Sequence, residues 1–267
     1  MTEGTRVPPP ALELRSISAG YGASSVLHDV TISVPPSSVV ALLGPNGAGK
    51  TTTLRVAAGL LKPASGTVMI CGNDASKAAP FRRARQGVCL IPEGRGIFRS
   101  LTVRENLELL IPPWRKGSEI DPAIEAFPIL GERLGQTAGS LSGGQQQQLA
   151  LARAFLSAPD VVLLDEVSMG LAPVIVDQIF ESLKLLAATG VALVLVEQYV
   201  SRALEMADTA YLMARGAIAW SGPAASLDTD AITRAYLGHA DEVPAVISRG
   251  DAPRTPRSEP KEKVTKR

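Results

Sequence analysis

Histidine, cysteine and aromatic side chains are scarce in this 267-residue chain, which has two of each of the first two and 4% of the third. His28 and His239 stand far apart, and a lone histidine is not a metal site, so both are expected to be structural or surface residues. Cys71 and Cys89 form no C-x-x-C pair and read as small core residues of a protein kept in a reducing compartment. An excess of charge is missing too: 27 Lys and Arg face 26 Asp and Glu, which leaves no general electrostatic footprint for nucleic acid. The longest apolar runs, such as Val191 to Val196, are strand length and far short of the roughly 18 residues of a membrane helix. The first ten residues lack the apolar core of a signal peptide. With 45% hydrophobic residues, the chain is long enough to bury a sizeable core as one large α/β domain or two small ones.

The most informative stretch is Gly44, Pro45, Asn46, Gly47, Ala48, Gly49, Lys50, Thr51 and Thr52, which fits G-x-x-x-x-G-K-[ST] at every fixed position. An apolar, β-branched run precedes it from Ser38 to Leu43, and Thr52 to Ala58 suits a helix. Strand, glycine loop and helix together make a phosphate cradle. The loop turns its N–H groups inward, and the helix adds the positive end of its dipole. Lys50 would reach the β and γ phosphates and the Thr51 hydroxyl would sit on Mg²⁺, so the cofactors expected are ATP and Mg²⁺. The plainer alternative is a glycine-rich turn before an ordinary helix.

Around this loop the chain alternates strands and helices. Ala11 to Ser18 and Thr31 to Val34 read as paired strands, with Gly20-Tyr21-Gly22 in the connection between them. Tyr21 is either a core residue or an aromatic face for an adenine ring. Gly66 to Cys71 and Gly87 to Ile91 are further strands, and the second leads into a polar loop from Pro92 through Glu93 to Phe98. Helical spacing from Val103 to Leu110, a break at Pro112-Pro113-Trp114 and a second helical stretch from about Asp121 suggest a helical insertion at about 95–140. It ends at Leu141, Ser142, Gly143, Gly144 and Gln145, where the serine can cap a helix and the helix start can offer N–H groups to an anion. Four consecutive glutamines follow the glycines, too few for an aggregation-prone tract.

Val161 to Leu164 form a buried strand with Asp165 and Glu166 at its carboxyl end. Such a pair is often a helix cap. After a complete phosphate loop, Asp165 suits a Mg²⁺ ligand and Glu166 a base that orients or deprotonates the attacking water. Pro173 to Ala188 suits a helix, Val191 to Val196 a buried strand, and Thr209 to Met213 with Ala217 to Trp220 a hairpin turning at Arg215-Gly216. Residues 1–10 and 241–267 are expected to be disordered, the latter basic, proline-containing and poor in large apolar residues, leaving a domain at 11–240.

The phosphate loop, Leu141-Ser-Gly-Gly-Gln145 and the strand ending Asp165-Glu166, in that order around a helical insertion, resemble the ATP-binding subunit of ABC transporters over about residues 11–240. The resemblance implies an α/β fold: a RecA-like P-loop NTPase core with an antiparallel β subdomain and an inserted α-helical subdomain. It implies that two such subunits, identical or paralogous, pair head to tail. Each ATP then lies between the loop of one subunit and Leu141 to Gln145 of the other, with Tyr21 beside the base. Membrane permease subunits and, indirectly, a solute-binding protein are the further partners, at the cytoplasmic face of the cell membrane, with no nucleic acid. Glu93 stands where most members carry a glutamine that approaches nucleotide and metal, and Gln198 where most carry a histidine. Gln198 can offer a γ phosphate a hydrogen bond but no charge. Val167 replaces the usual proline after the catalytic Glu166, with little effect expected. The runs 92–95, 168–173 and 196–199 are similar to the subfamily serving branched-chain amino acid importers. Importers of urea and short-chain amides, exporters, and soluble ABC ATPases that move no solute remain alternatives.

Overall fold

A computed structural model describes residues 8–115 and 119–227, so His239, the 241–267 tail, most of the 1–10 segment and the boundary at 240 lie outside the described residues. Three apolar strands, β3 (Val39–Leu43), β7 (Val161–Asp165) and β8 (Ala192–Val196), are buried at every residue and form the centre of a six-stranded sheet. Its order is β10-β9-β3-β8-β7-β6, with β6 (Val88–Ile91) at one edge and the hairpin of β9 (Thr209–Ala214) and β10 (Ala217–Pro223) at the other. The pairs β9/β3, β3/β8, β8/β7 and β7/β6 are parallel, and β10 runs antiparallel to β9. Both faces of such a sheet are covered, which explains the unbroken apolar runs.

Alternation decides which face each residue serves. Val161 and Leu163 of β7, with Ala192, Val194 and Val196 of β8, pack toward α1 (Lys50–Ala57) and a second sheet. Val162, Leu164, Leu193 and Leu195 face α6 (Gly143–Ser157), α7 (Pro173–Ala188) and the segment between β6 and α6. That segment holds α3 (Val103–Leu110), α4 (Asp121–Ala126) and α5 (Pro128–Gly131); Phe127 and Phe155 meet edge to face, with ring centroids 5.5 Å apart. The second sheet is antiparallel in the order β2 (Ser24–Val34), β1 (Leu12–Tyr21), β4 (Ser65–Ile70), β5 (Asn73–Asp74).

The two strands of its long hairpin differ from the sequence expectation. β1 runs Leu12–Tyr21 and β2 runs Ser24–Val34, so Gly20 and Tyr21 belong to a strand and only two residues turn. Ser16 (φ 50°) and Asp29 (φ 52°) lie where the register shifts, and each irregularity interrupts the period-2 pattern that would have declared one continuous strand. Two helices also escape the sequence reading. α2 (Pro80–Arg85) starts with proline, is six residues long and buries only Arg83, and α8 (Val200–Met206) is seven residues long and buries only Val200 and Ala203. No helix among the described residues is long and apolar enough to cross a membrane.

Candidate active site

The parallel strands deliver the phosphate loop and the carboxylate pair to the same edge of the sheet, because β3 and β7 both flank β8 and point the same way. Residues 44–49 turn back on themselves through three glycines with positive φ, at 152°, 80° and 104° for Gly44, Gly47 and Gly49. Gly49 is the N-cap of α1, and a Cβ there would meet Leu27 Cδ2 at 2.7 Å, so both conformation and space require glycine. Lys50 opens the helix and is buried; its Nζ donates to the Gly44 carbonyl at 2.7 Å and the Pro45 carbonyl at 3.1 Å. Burial pushes its ammonium below the usual lysine range, against the opposing pull of Glu166 and Asp165.

Thr51 Oγ1 donates to Asp165 Oδ1 at 3.0 Å. Asp165 is buried and held above the usual carboxylate range by that burial, opposed by the Thr51 hydrogen bond and reinforced by Glu166 and Glu93. A hydroxyl and a carboxylate in contact suit Mg²⁺, which takes oxygen donors and completes its shell with water and substrate phosphate. Among the described residues no cluster of three His, Cys, Asp or Glu forms a dedicated metal cage.

Glu166 stands just past the end of β7 in a left-handed conformation, φ 49°, with its N–H donating to the Val196 carbonyl of β8 at 2.8 Å. Gln198 Nε2 donates to Glu166 Oε2 at 3.3 Å and lies 3.3 Å from Met169 Sδ, so the structure brings together the two residues that the sequence reading placed at the γ phosphate. Glu93 and Glu166 share a cleft of about 520 Å³ with Arg95, Arg99, Gln146 and Met169. Beside α1, Tyr21 is 45% exposed rather than in the core, and Arg55 in the last turn of that helix donates to its hydroxyl at 3.1 Å. The ring thus sits beside the phosphate-loop helix, held from its hydroxyl end.

Ser142 caps α6 reciprocally with Gln145: the Gln145 N–H donates to Ser142 Oγ at 3.3 Å and the Ser142 N–H to Gln145 Oε1 at 3.0 Å. Leu141 is buried beneath the turn, and Gly144 lies so close to Ile175 that a Cβ would meet its Cγ2 at 2.6 Å. Ser142 and Gln145 line a groove of about 710 Å³ with Val174, Asp177 and Glu181, not the cleft that holds Glu93 and Glu166.

Three groups around the site were not legible beforehand. Arg83 of α2 is 1% exposed and donates to the Val56 and Ala57 carbonyls, satisfying the C-terminal end of the phosphate-loop helix. Gln146, the second of the four glutamines, donates to Ala138 and Leu141 carbonyls and accepts from Arg95 and Arg99, tying the signature turn to the loop after Glu93. Glu197, the residue before Gln198, is 1% exposed and accepts from both the amide and the hydroxyl of Ser168.

Comparison with known proteins agrees with this geometry. The family model described as ABC transporter matches residues 27–169. The high-affinity branched-chain amino acid transport ATP-binding protein BraG of Pseudomonas aeruginosa is 41% identical, covering 85% of this chain and 99% of that protein. The lipopolysaccharide export system ATP-binding protein LptB of Haemophilus influenzae is 33% identical over 85% of this chain and 97% of its own length. A solved ATP-binding subunit of an ABC transporter superimposes with a TM-score of 0.71 at 30% identity, covering 80% of this chain and 90% of that one. These matches show that the chain belongs to the ABC transporter family and is built as one of its ATPase cassettes.

Proposed function

We propose that this chain is the ATP-hydrolysing subunit of an importer that carries branched-chain amino acids across the cell membrane, working at its cytoplasmic face. The observation that carries the catalytic part is the meeting of Thr51 and Asp165 at 3.0 Å, with Glu166 next in the chain and bonded to Gln198. Backbone N–H groups of residues 44–49 and the α1 dipole hold the phosphates, and Lys50 exchanges its loop carbonyls for phosphate oxygens. Thr51, Asp165 and Glu93 are the residues that would hold Mg²⁺, which supplies neutralisation of charge on the β and γ phosphates. Glu166 takes the proton of the attacking water, and Gln198 steers it as a neutral hydrogen-bond donor. Tyr21 stacks on the base.

The signature turn finds its role in a second copy or a paralogue. Ser142 to Gly144 open a fifteen-residue helix whose N–H groups favour an anion, yet they line a groove other than the Glu166 cleft. Their phosphate would belong to the nucleotide held by a partner. On another face, exposed Phe81, Phe98, Leu109 and Trp114 border a groove of about 580 Å³ between the sheet edge and α3. An apolar groove of that kind fits a cytoplasmic helix of a permease, beside the Glu93 loop that reports on ATP.

The branched-chain solute rests on the 41% identity over nearly the whole of a protein named for that transport, against 33% for the export relative. Co-expression with a candidate permease, co-purification, and uptake of leucine, isoleucine, valine and urea into vesicles test it. ATP-dependent uptake of the three branched-chain amino acids is expected. Uptake of urea alone, or solute movement outward, would contradict the assignment.

A further inference from the structure

Glu197 is a carboxylate that the mechanism above does not use, placed where neither packing nor solvation explains it. It follows the last residue of β8, is 1% exposed, and forms no ion pair with Lys or Arg among the described residues. The groups that face it are donors and one acid: the Ser168 amide at 3.2 Å, the Ser168 hydroxyl, the Gln198 amide and, from the end of β7, the Glu166 carboxylate. Ser168 is itself fully buried and lies two residues beyond Glu166. Glu197 therefore joins the two short loops that carry the reacting groups, one after β7 with Glu166 and one after β8 with Gln198.

We propose that Glu197 is a positioning residue for ATP hydrolysis: through Ser168 it locks the Glu166 turn to the Gln198 loop, and it does so only as the carboxylate. The lock is needed because Glu166 sits at φ 49°, a conformation that its own backbone disfavours and that its neighbours must enforce. The ionised carboxylate accepts from both the Ser168 amide and the Ser168 hydroxyl. Its protonated form gives up an acceptor site and must place a proton, so the Ser168 hydroxyl has to reverse from donor to acceptor, the Ser168 bonds rearrange and the 3.3 Å contact between Gln198 and Glu166 is freed to open. Burial raises the Glu197 carboxyl to about 7, opposed by the Ser168 and Gln198 hydrogen bonds, so the exchange between the two forms falls within the physiological range.

This inference rests on Glu166 being the catalytic base, and the two fail separately. If Glu166 is not the base, Glu166→Gln keeps its turnover; the lock is tested instead by steady-state ATP hydrolysis against pH in the full chain. The wild type should lose kcat as pH falls through about 7, with the KM for ATP little changed. Glu197→Gln should hydrolyse roughly 10- to 100-fold more slowly, the cost of a misplaced catalytic group, and should lack that acid limb. Ser168→Ala removes a donor to the charged form only, so its acid limb should move to higher pH by about one unit. A merely structural role for Glu197 would leave the limb in place. An unmoved limb in Ser168→Ala, or a wild-type kcat and pH profile in Glu197→Gln, would overturn the proposal.

Discussion

Lys50, Thr51, Asp165 and Glu166 were readable because each lies at a fixed distance from a glycine or at the end of an apolar strand, so local pattern alone positions them. Glu197, Arg83 and Gln146 were not readable. Each is a buried polar residue whose partners are remote in sequence, and nothing in a run such as Val196-Glu-Gln-Tyr199 distinguishes an inward carboxylate from an outward one. Tyr21 was left open between core and ligand, and its exposure and the Arg55 bond favour the ligand. Tyr21→Ala should weaken ATP binding by about 1 kcal/mol or more, seen as a KM raised roughly 5-fold or more with kcat kept. An unchanged KM would return Tyr21 to ordinary surface. Glu197 also has a stability consequence. Its folded value of about 7 exceeds the ordinary glutamate value of about 4.5, so the folded state binds more protons between those limits. Stability from this group therefore declines as pH rises from about 4.5 to about 7, and the cost is complete above it, on the order of 3 kcal/mol. Glu197→Gln has no such slope, so its stability relative to wild type in urea unfolding should improve between pH 5 and pH 8. A difference that stays flat or shrinks over that span would contradict the burial of a carboxylate there.

Among the elements, β3, β7, β8, α3, α6 and α7 announced themselves through length, continuous or periodic apolar residues, and caps. The hairpin of β1 and β2 was read short because residues with positive φ break its alternation, and α2 and α8 were missed because short helices with few buried positions carry little periodic signal. One such boundary offers a test. α6, which begins at the signature turn, ends at Ala158 in the left-handed region, φ 42°. Glycine removes the steric cost of about 1 kcal/mol there, and the larger entropy of the unfolded chain takes back part of it. Ala158→Gly should therefore be neutral to stabilising by about 0.5 kcal/mol in chemical unfolding, in contrast to the loss that glycine causes inside a helix. A loss of 1 kcal/mol or more would show that the Cβ packs usefully.

At the scale of the whole molecule, one chain carries a phosphate loop with its carboxylates and, on a separate groove, a capped helix start suited to another anion. In the proposed assembly, a second copy or a paralogue facing this one would satisfy both. Ser142→Arg places a long cation at that helix start, and nucleotide-dependent dimerisation should be abolished when followed by light scattering; a variant that still dimerises with ATP would remove the signature turn from the site. The remaining claim, that Glu166 at the end of β7 performs the chemistry that drives the machine, has the most direct test. Purified Glu166→Gln should bind ATP like the wild type yet hydrolyse it roughly 10²- to 10⁴-fold more slowly, the range expected for a lost general base. Undiminished hydrolysis by that protein would contradict the account.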